Sequence, residues 1–150
     1  MRSRFVGFAI VTATLVLSPA MPAYAAHVLI TPEEAQLPPP RGAVATDRRG
    51  VTRAPKIKCA EDGETIHSPT HLLLTFESFG GAKIDPDSVK VTYLKTPNVD
   101  LTSRVKSFVQ ASGIDIPDVE LPTGDHMIRV DVKDSDGRLG SASFVLKVVP

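Results

Sequence analysis

Four stretches between His71 and Val149 place apolar side chains at every second position. His71 to Glu77 sets Leu72, Leu74 and Phe76 on one face. Ser88 to Tyr93 sets Val89, Val91 and Tyr93 together and leaves Lys90 and Thr92 on the other side. His126 to Lys133 alternates Ile128, Val130 and Val132 with Arg129, Asp131 and Lys133, and Ser143 to Val149 does the same with Phe144, Leu146 and Val148. A helix would scatter these residues around its axis, whereas a strand collects them on one face. One buried and one wet face is the signature of antiparallel sheet. Turn signals separate the stretches: Phe79-Gly80-Gly81, Asp85-Pro86-Asp87, Thr123-Gly124-Asp125 and Ser135-Asp136-Gly137. The expected fold is an all-β antiparallel sandwich over residues 54–150, built on a Val, Ile and Leu core.

One segment departs from the period of two. Asp100 precedes Leu101, Val105 and Phe108, spaced i, i+4 and i+7, with Gly113 beyond. This predicts one short helix, capped by Asp100 and packed across an open edge of the sandwich. Ile114 to Val119 returns to extended form, and Pro117 marks it as an edge strand. Lys56-Ile57-Lys58 predicts a further strand leading to Cys59.

Residues 1–25 read as an address. Arg2 and Arg4 precede thirteen nearly all-apolar residues, Phe5 to Leu17, and Ala23-Tyr24-Ala25 follows after Ser18, Pro19 and Pro22. A charged start, an apolar middle and small residues at the cleavage site define a secretory signal peptide. Cleavage between Ala25 and Ala26 is expected, with Ala23 and Ala25 in the small-residue positions. Thirteen helical residues span about 20 Å, short of the roughly 30 Å hydrocarbon core. The expected product is periplasmic or secreted and has no integral membrane segment after cleavage. Removing residues 1–25 removes two arginines and no acid, so 15 basic and 17 acidic residues remain of the original 17 and 17. A slightly acidic protein offers no electrostatic case for nucleic acid as a partner. With a single cysteine, Cys59, no intramolecular disulfide can form. In an oxidising compartment Cys59 is either a buried, inert thiol, the favoured expectation, or a residue that pairs between chains.

Ala26 to Arg53 has no countable apolar period and contains Pro32, Pro38, Pro39 and Pro40. It is expected to be a disordered, proline-rich arm over residues 26–53, with local polyproline geometry at 38–40 and a fragile turn capped by Thr31 over Pro32-Glu33-Glu34.

The stretch Leu121-Pro122-Thr123-Gly124-Asp125-His126, followed by Ile128, Val130, Val132 and Asp134, then Gly137 and Gly140 to Phe144, resembles the last two strands of bacterial immunoglobulin-like domains. The resemblance implies an immunoglobulin-like sandwich. It gives Gly124 and His126 the corner before the penultimate strand, and Asp134 and Gly137 the final turn. His126 stands where such domains usually carry a tyrosine that bonds back to the chain, and an imidazole can make a shorter version of that bond. A weaker similarity links the chain to CopC-type periplasmic copper carriers, which are also small exported sandwiches with a histidine near the mature start. That similarity makes His27 a candidate copper ligand. The late histidine motif of those carriers is absent at Asp134 to Arg138.

No Gly-x-Ser-x-Gly, His-Glu-x-x-His or Walker motif occurs. His67 and His71 are four apart, but Ser68 and Pro69 oppose a helix between them. Asp134-x-Asp136-Gly137 lacks the glutamate a calcium loop needs at its twelfth position, which is Val145. Glu61, Asp62 and Glu64 read as solvated loop acids. The functional expectation is a non-enzymatic, cofactor-free exported module that binds or supports an envelope protein through sheet edges or loops, with a copper carrier as the alternative.

Overall fold

The computed structural model describes residues 26–42 and 53–150; the expected signal peptide, with Ala23 and Ala25, lies outside the described residues. The strands are β1 (His27–Val28), β2 (Lys56–Cys59), β3 (Thr65–His67), β4 (Thr70–Glu77), β5 (Ile84–Tyr93), β6 (Val99–Asp100), β7 (Val109–Gln110), β8 (Gly113–Glu120), β9 (Gly124–Asp134) and β10 (Leu139–Val149). The short helices are α1 (Pro32–Ala35) and α2 (Thr102–Val105), the second followed by a 3-10 turn, Lys106–Phe108.

These elements form two mixed sheets. One has the order β1-β8-β4-β2, with β7 also on β8; the other has the order β3-β10-β9-β5-β6. The inward residues expected from the alternation are all buried: Leu72, Leu74 and Phe76; Val89, Val91 and Tyr93; Ile128, Val130 and Val132; Phe144, Leu146 and Val148. With Ile114, Ile116 and Val119 of β8 they make one apolar cluster drawn from both sheets. This is the layering of an all-β sandwich.

One flank is closed by a chain that changes sheets. β2 pairs antiparallel with β4, and after a turn β3 pairs parallel with β10. The turn is bonded to both layers. Ala60 N donates to the Leu73 carbonyl, and Gly63 N donates to the Val145 carbonyl. Glu61 Oε2 accepts from Leu73 N at 3.3 Å and Asp62 Oδ1 from Val145 N at 2.9 Å. Two of the acids expected to be merely solvated therefore satisfy strand-edge amides. Just before β2 the backbone presses on β10, where a methyl group on Gly140 would sit 2.1 Å from the Pro55 carbonyl oxygen.

The opposite flank carries the helical segment. Leu101 and Val105 are buried and Phe108 packs partly against the core. The helix is only one turn long and passes into the 3-10 turn, so it is shorter than the Leu101-Val105-Phe108 spacing suggests. Asp100 Oδ1 accepts from Thr102 N at 2.9 Å, yet Leu101 occupies the cap position.

Two proline readings need correction. Pro117 does not lie on a bare edge. β8 pairs with β4 on one side, and on the other β7 covers Gly113 and Ile114 while β1 covers Val119 and Glu120. Pro117 falls in the gap between these short partners and opposite a bulge, where β4 skips from Thr70 to Leu72 while β8 runs from Val119 to Ile116. A residue without an amide hydrogen is tolerated there. Asp85-Pro86-Asp87 is not a turn between strands but an irregularity inside β5, between Asp85 and Lys90. Asp85 Oδ1 accepts from Asp87 N at 3.0 Å, and Ser88 Oγ accepts from Lys133 N at 2.8 Å, replacing the lost ladder bonds.

Residues 26–42 are not the disordered arm expected for 26–53; residues 43–52 lie outside the described residues. Leu29 and Ile30 are each only 1% exposed and belong to the core cluster. Two adjacent apolar residues show no period and so carry no sequence signal of burial. α1 has a full capping box: Thr31 Oγ1 accepts from Glu34 N at 3.3 Å and Glu34 Oε2 from Thr31 N at 3.0 Å.

Candidate functional site

The buried and half-buried polar side chains gather at three places: a corner, the final turn and a clasp. The corner forms where β8 gives way to β9. His126 is 2% exposed, and its Nε2 lies 2.7 Å from the Pro122 carbonyl oxygen four residues back. A carbonyl only accepts, so Nε2 carries the hydrogen. Nδ1 is then left to accept from the Tyr93 hydroxyl at 2.9 Å. The two rings lie with centroids 5.7 Å apart. Burial, assisted by the Lys95 charge, lowers the His126 pKa, against the opposing Pro122 bond and Asp125 charge. Burial also pushes the Tyr93 phenol up to about 12. Both rings are thus held neutral, and both imidazole nitrogens are engaged. Gly124, at φ +126°, opens β9.

The final turn is built on Asp134, 3% exposed. Its Oδ1 accepts from Asp136 N at 3.0 Å and Arg138 N at 2.9 Å. Arg138 Nε stands 3.0 Å from Asp134 Oδ2, a charge contact whose atoms are not aligned as a hydrogen bond. Gly137 takes φ +76°. The carboxylate is filled by the turn's own amides and arginine, which leaves it as a turn fastener.

The clasp is the contact between residues 26–40 and the body. Arg104 of α2 donates from both terminal nitrogens to Glu34, at 2.7 Å to Oε2 and 2.6 Å to Oε1, and also to the Leu29 carbonyl at 2.8 Å. Arg104 is the main cause holding the Glu34 carboxyl below its usual range. Lys95 Nζ donates to the Ala35 carbonyl at 2.9 Å and lies 5.4 Å from the Tyr93 ring centroid. Thr96 donates from N to the Pro38 carbonyl and from Oγ1 to the Pro39 carbonyl, each at 2.9 Å. Lys95 therefore links the clasp to the corner. The sequence singled out neither Arg104 nor Lys95, because their partners, the Glu34 carboxylate and the Leu29 and Ala35 carbonyls, lie some 60 to 75 positions away. The Thr31-x-x-Glu34 capping pattern was the one local signal that this segment holds structure.

The remaining candidates are dispersed. His27 lies in β1, its ring edge-on to Phe108 at 5.1 Å, with Nε2 buried and unbonded. Among the described residues no group of three or more metal-ligating side chains gathers. His67 Nδ1 faces the Pro150 carbonyl at 3.1 Å, and His71 Nε2 faces Asp115 Oδ1 at 2.6 Å; both residues are exposed and lie on strands of different sheets. Cys59 is half-buried at the end of β2, with Sγ 3.5 Å from Glu61 Oε2. Burial pushes its thiol up to about 12. Cys59 and Leu29 border a wholly apolar gap of about 20 Å³ between the sheets, too poor in polar partners to hold water. Among the described residues no helix is long and apolar enough to cross a membrane. Compared with protein-family models, curated proteins and solved structures, the chain matches none.

Proposed function

We propose that the chain is an exported, non-catalytic immunoglobulin-like module that binds or supports another component of a bacterial cell envelope. The observation that carries this reading is the use made of its buried and half-buried polar groups. His126, Asp134, Glu34 and Arg104 are all spent on fastening backbone: a corner, a turn and an N-terminal segment. A protein organised this way presents a stiff surface rather than a reacting centre. Two features support the immunoglobulin-like assignment. Residues 56–67 are divided between the sheets, β2 against β4 and β3 parallel to β10, and His126 bonds back to Pro122 at the start of the penultimate strand. The apolar run after Arg2 and Arg4 supports export. Fractionation and N-terminal sequencing of the tagged full chain, with in-cell crosslinking, test the proposal. The expected product starts at Ala26, sits in the envelope fraction and crosslinks to one envelope protein. An intact Met1 terminus in the cytoplasm would overturn it.

A copper role is favoured by one observation, the unbonded buried Nε2 of His27. Calorimetric titration of the exported chain with Cu(II) decides it: tight binding abolished by His27→Ala supports the role, and no heat at micromolar copper ends it.

A further inference from the structure

The surface beneath the clasp reads main chain. Four carbonyls of the segment, those of Leu29, Ala35, Pro38 and Pro39, accept from Arg104, Lys95 and Thr96 of the body. Leu29 N donates to the Glu120 carbonyl at 3.2 Å, and β1 adds to β8 in parallel register, His27 on Val119 and Val28 on Glu120. Side-chain identity enters at few points: Leu29 and Ile30 fill the apolar slot, and Glu34 meets Arg104. Backbone bonding along an added strand, with a pocket for a few side chains, is the mode by which sheets capture extended peptides.

We infer that this surface is a peptide groove, filled by the chain's own residues 26–40 and equally able to take that segment from a second copy, giving a reciprocally exchanged dimer. Every contact named above joins the segment to residues 95–120. The ten residues 43–52 that connect the segment to the body reach up to about 35 Å when extended, a span that permits a neighbouring groove as well as the chain's own. The occupant is a second copy because the complementarity is written in this chain: the Leu29-Ile30 pair matches the slot, and the Glu34 carboxylate matches the Arg104 fork at two bonds. Closure within one chain benefits from an effective concentration in the millimolar range, so exchange emerges as the protein concentration approaches that range or as self-closure is weakened.

The test uses two full-length chains, one carrying Glu34→Arg and the other Arg104→Glu. Each alone sets like charges together in its own groove. In the mixed, exchanged dimer both grooves regain an opposite-charge pair. Sedimentation velocity is expected to show monomers for each variant alone and a species of doubled mass in the mixture. A mixture that stays monomeric overturns the inference. Where circular dichroism shows either variant unfolded, the wild-type chain supplies the answer. Batches labelled with 14N and 15N, mixed at the highest soluble concentration, are expected to give a mixed-isotope dimer by native mass spectrometry. Monomer alone, or a mixed dimer that persists when both batches carry Arg104→Glu in a folded state, overturns it.

Discussion

The Tyr93 hydroxyl sits 2.9 Å from Nδ1 of His126, and both rings are shut off from solvent. Because Nε2 of the same ring already bonds the Pro122 carbonyl, the pair ties β5 to the corner that starts β9. Tyr93→Phe keeps the ring and leaves Nδ1 as a buried acceptor with no donor. The expected loss is about 1–3 kcal/mol, read as a lower urea midpoint with an unchanged slope. An unchanged midpoint would mean that this bond does not hold the corner.

The same imidazole sets a pH dependence. Its folded pKa lies below the ordinary 6.5, chiefly through burial. Below pH 6.5 the unfolded chain takes up a proton that the folded chain refuses, so the folded state loses stability as pH falls from there toward the lowered value. Glu34 adds a second loss in a lower window. Its folded pKa is below 4.5, so the stability it contributes is present above 4.5 and disappears as the pH drops further. Thermal midpoints across pH 7 to 3 are expected to show both declines. His126→Gln should remove the upper one, and Glu34→Gln should shrink the lower, to which Glu77 and Asp100, also held below their usual range, contribute as well.

Gly113 and Gly137 separate steric from conformational cost. At Gly113, φ is +154° and an added methyl would sit 1.9 Å from the Leu74 carbonyl oxygen. At Gly137, φ is +76° and the space is open. Gly113→Ala is expected to cost about 3 kcal/mol or more, because β8 must move off β4. Gly137→Ala should cost about 1–2 kcal/mol, the backbone term alone. Equal losses in denaturant melts would contradict the close approach of β8 to β4.

Cys59 should resist thiol reagents. Raising its pKa from 9.0 to about 12 leaves about a thousandfold less thiolate at neutral pH. Native protein is expected to react with iodoacetamide far more slowly than a free cysteine and to reach the free rate in urea. Rapid labelling of the native state would show that the thiol is more open than its position at the end of β2 implies.

Leu29→Ala distinguishes a docked segment from a loose one. Leu29 is 1% exposed inside the shared core, so the expected cost is about 2–5 kcal/mol. A melting temperature equal to wild type would mean that residues 26–40 contribute nothing to the fold.

The sheets were legible wherever one face was wet and one dry. Val89, Val91 and Tyr93, and likewise Ile128, Val130 and Val132, follow the pleat and are buried as the alternation requires. Legibility failed where a residue's meaning depends on distant partners. Pro117 announces only that one amide is missing, and the chain answers with a bulge and two short neighbours rather than an edge. Asp85-Pro86-Asp87 has turn chemistry, but β9 continues past it and makes it an irregularity within β5. Leu29 and Ile30 were hidden among prolines because two residues cannot establish a period. His126 was legible as a corner residue; its second bond, to Tyr93 33 positions earlier, was not.

The parallel pairing of β3 with β10 sets how the domain meets mechanical load. Thr65, Ile66 and His67 run alongside Lys147, Val148 and Val149 in the same direction. A pull between Lys56 and Val149 draws these neighbours past each other lengthwise, so their bonds share the tension and yield together instead of unzipping singly. The segment that changes layers thus acts as a shear clamp, loading the β3–β10 ladder along its length rather than across it.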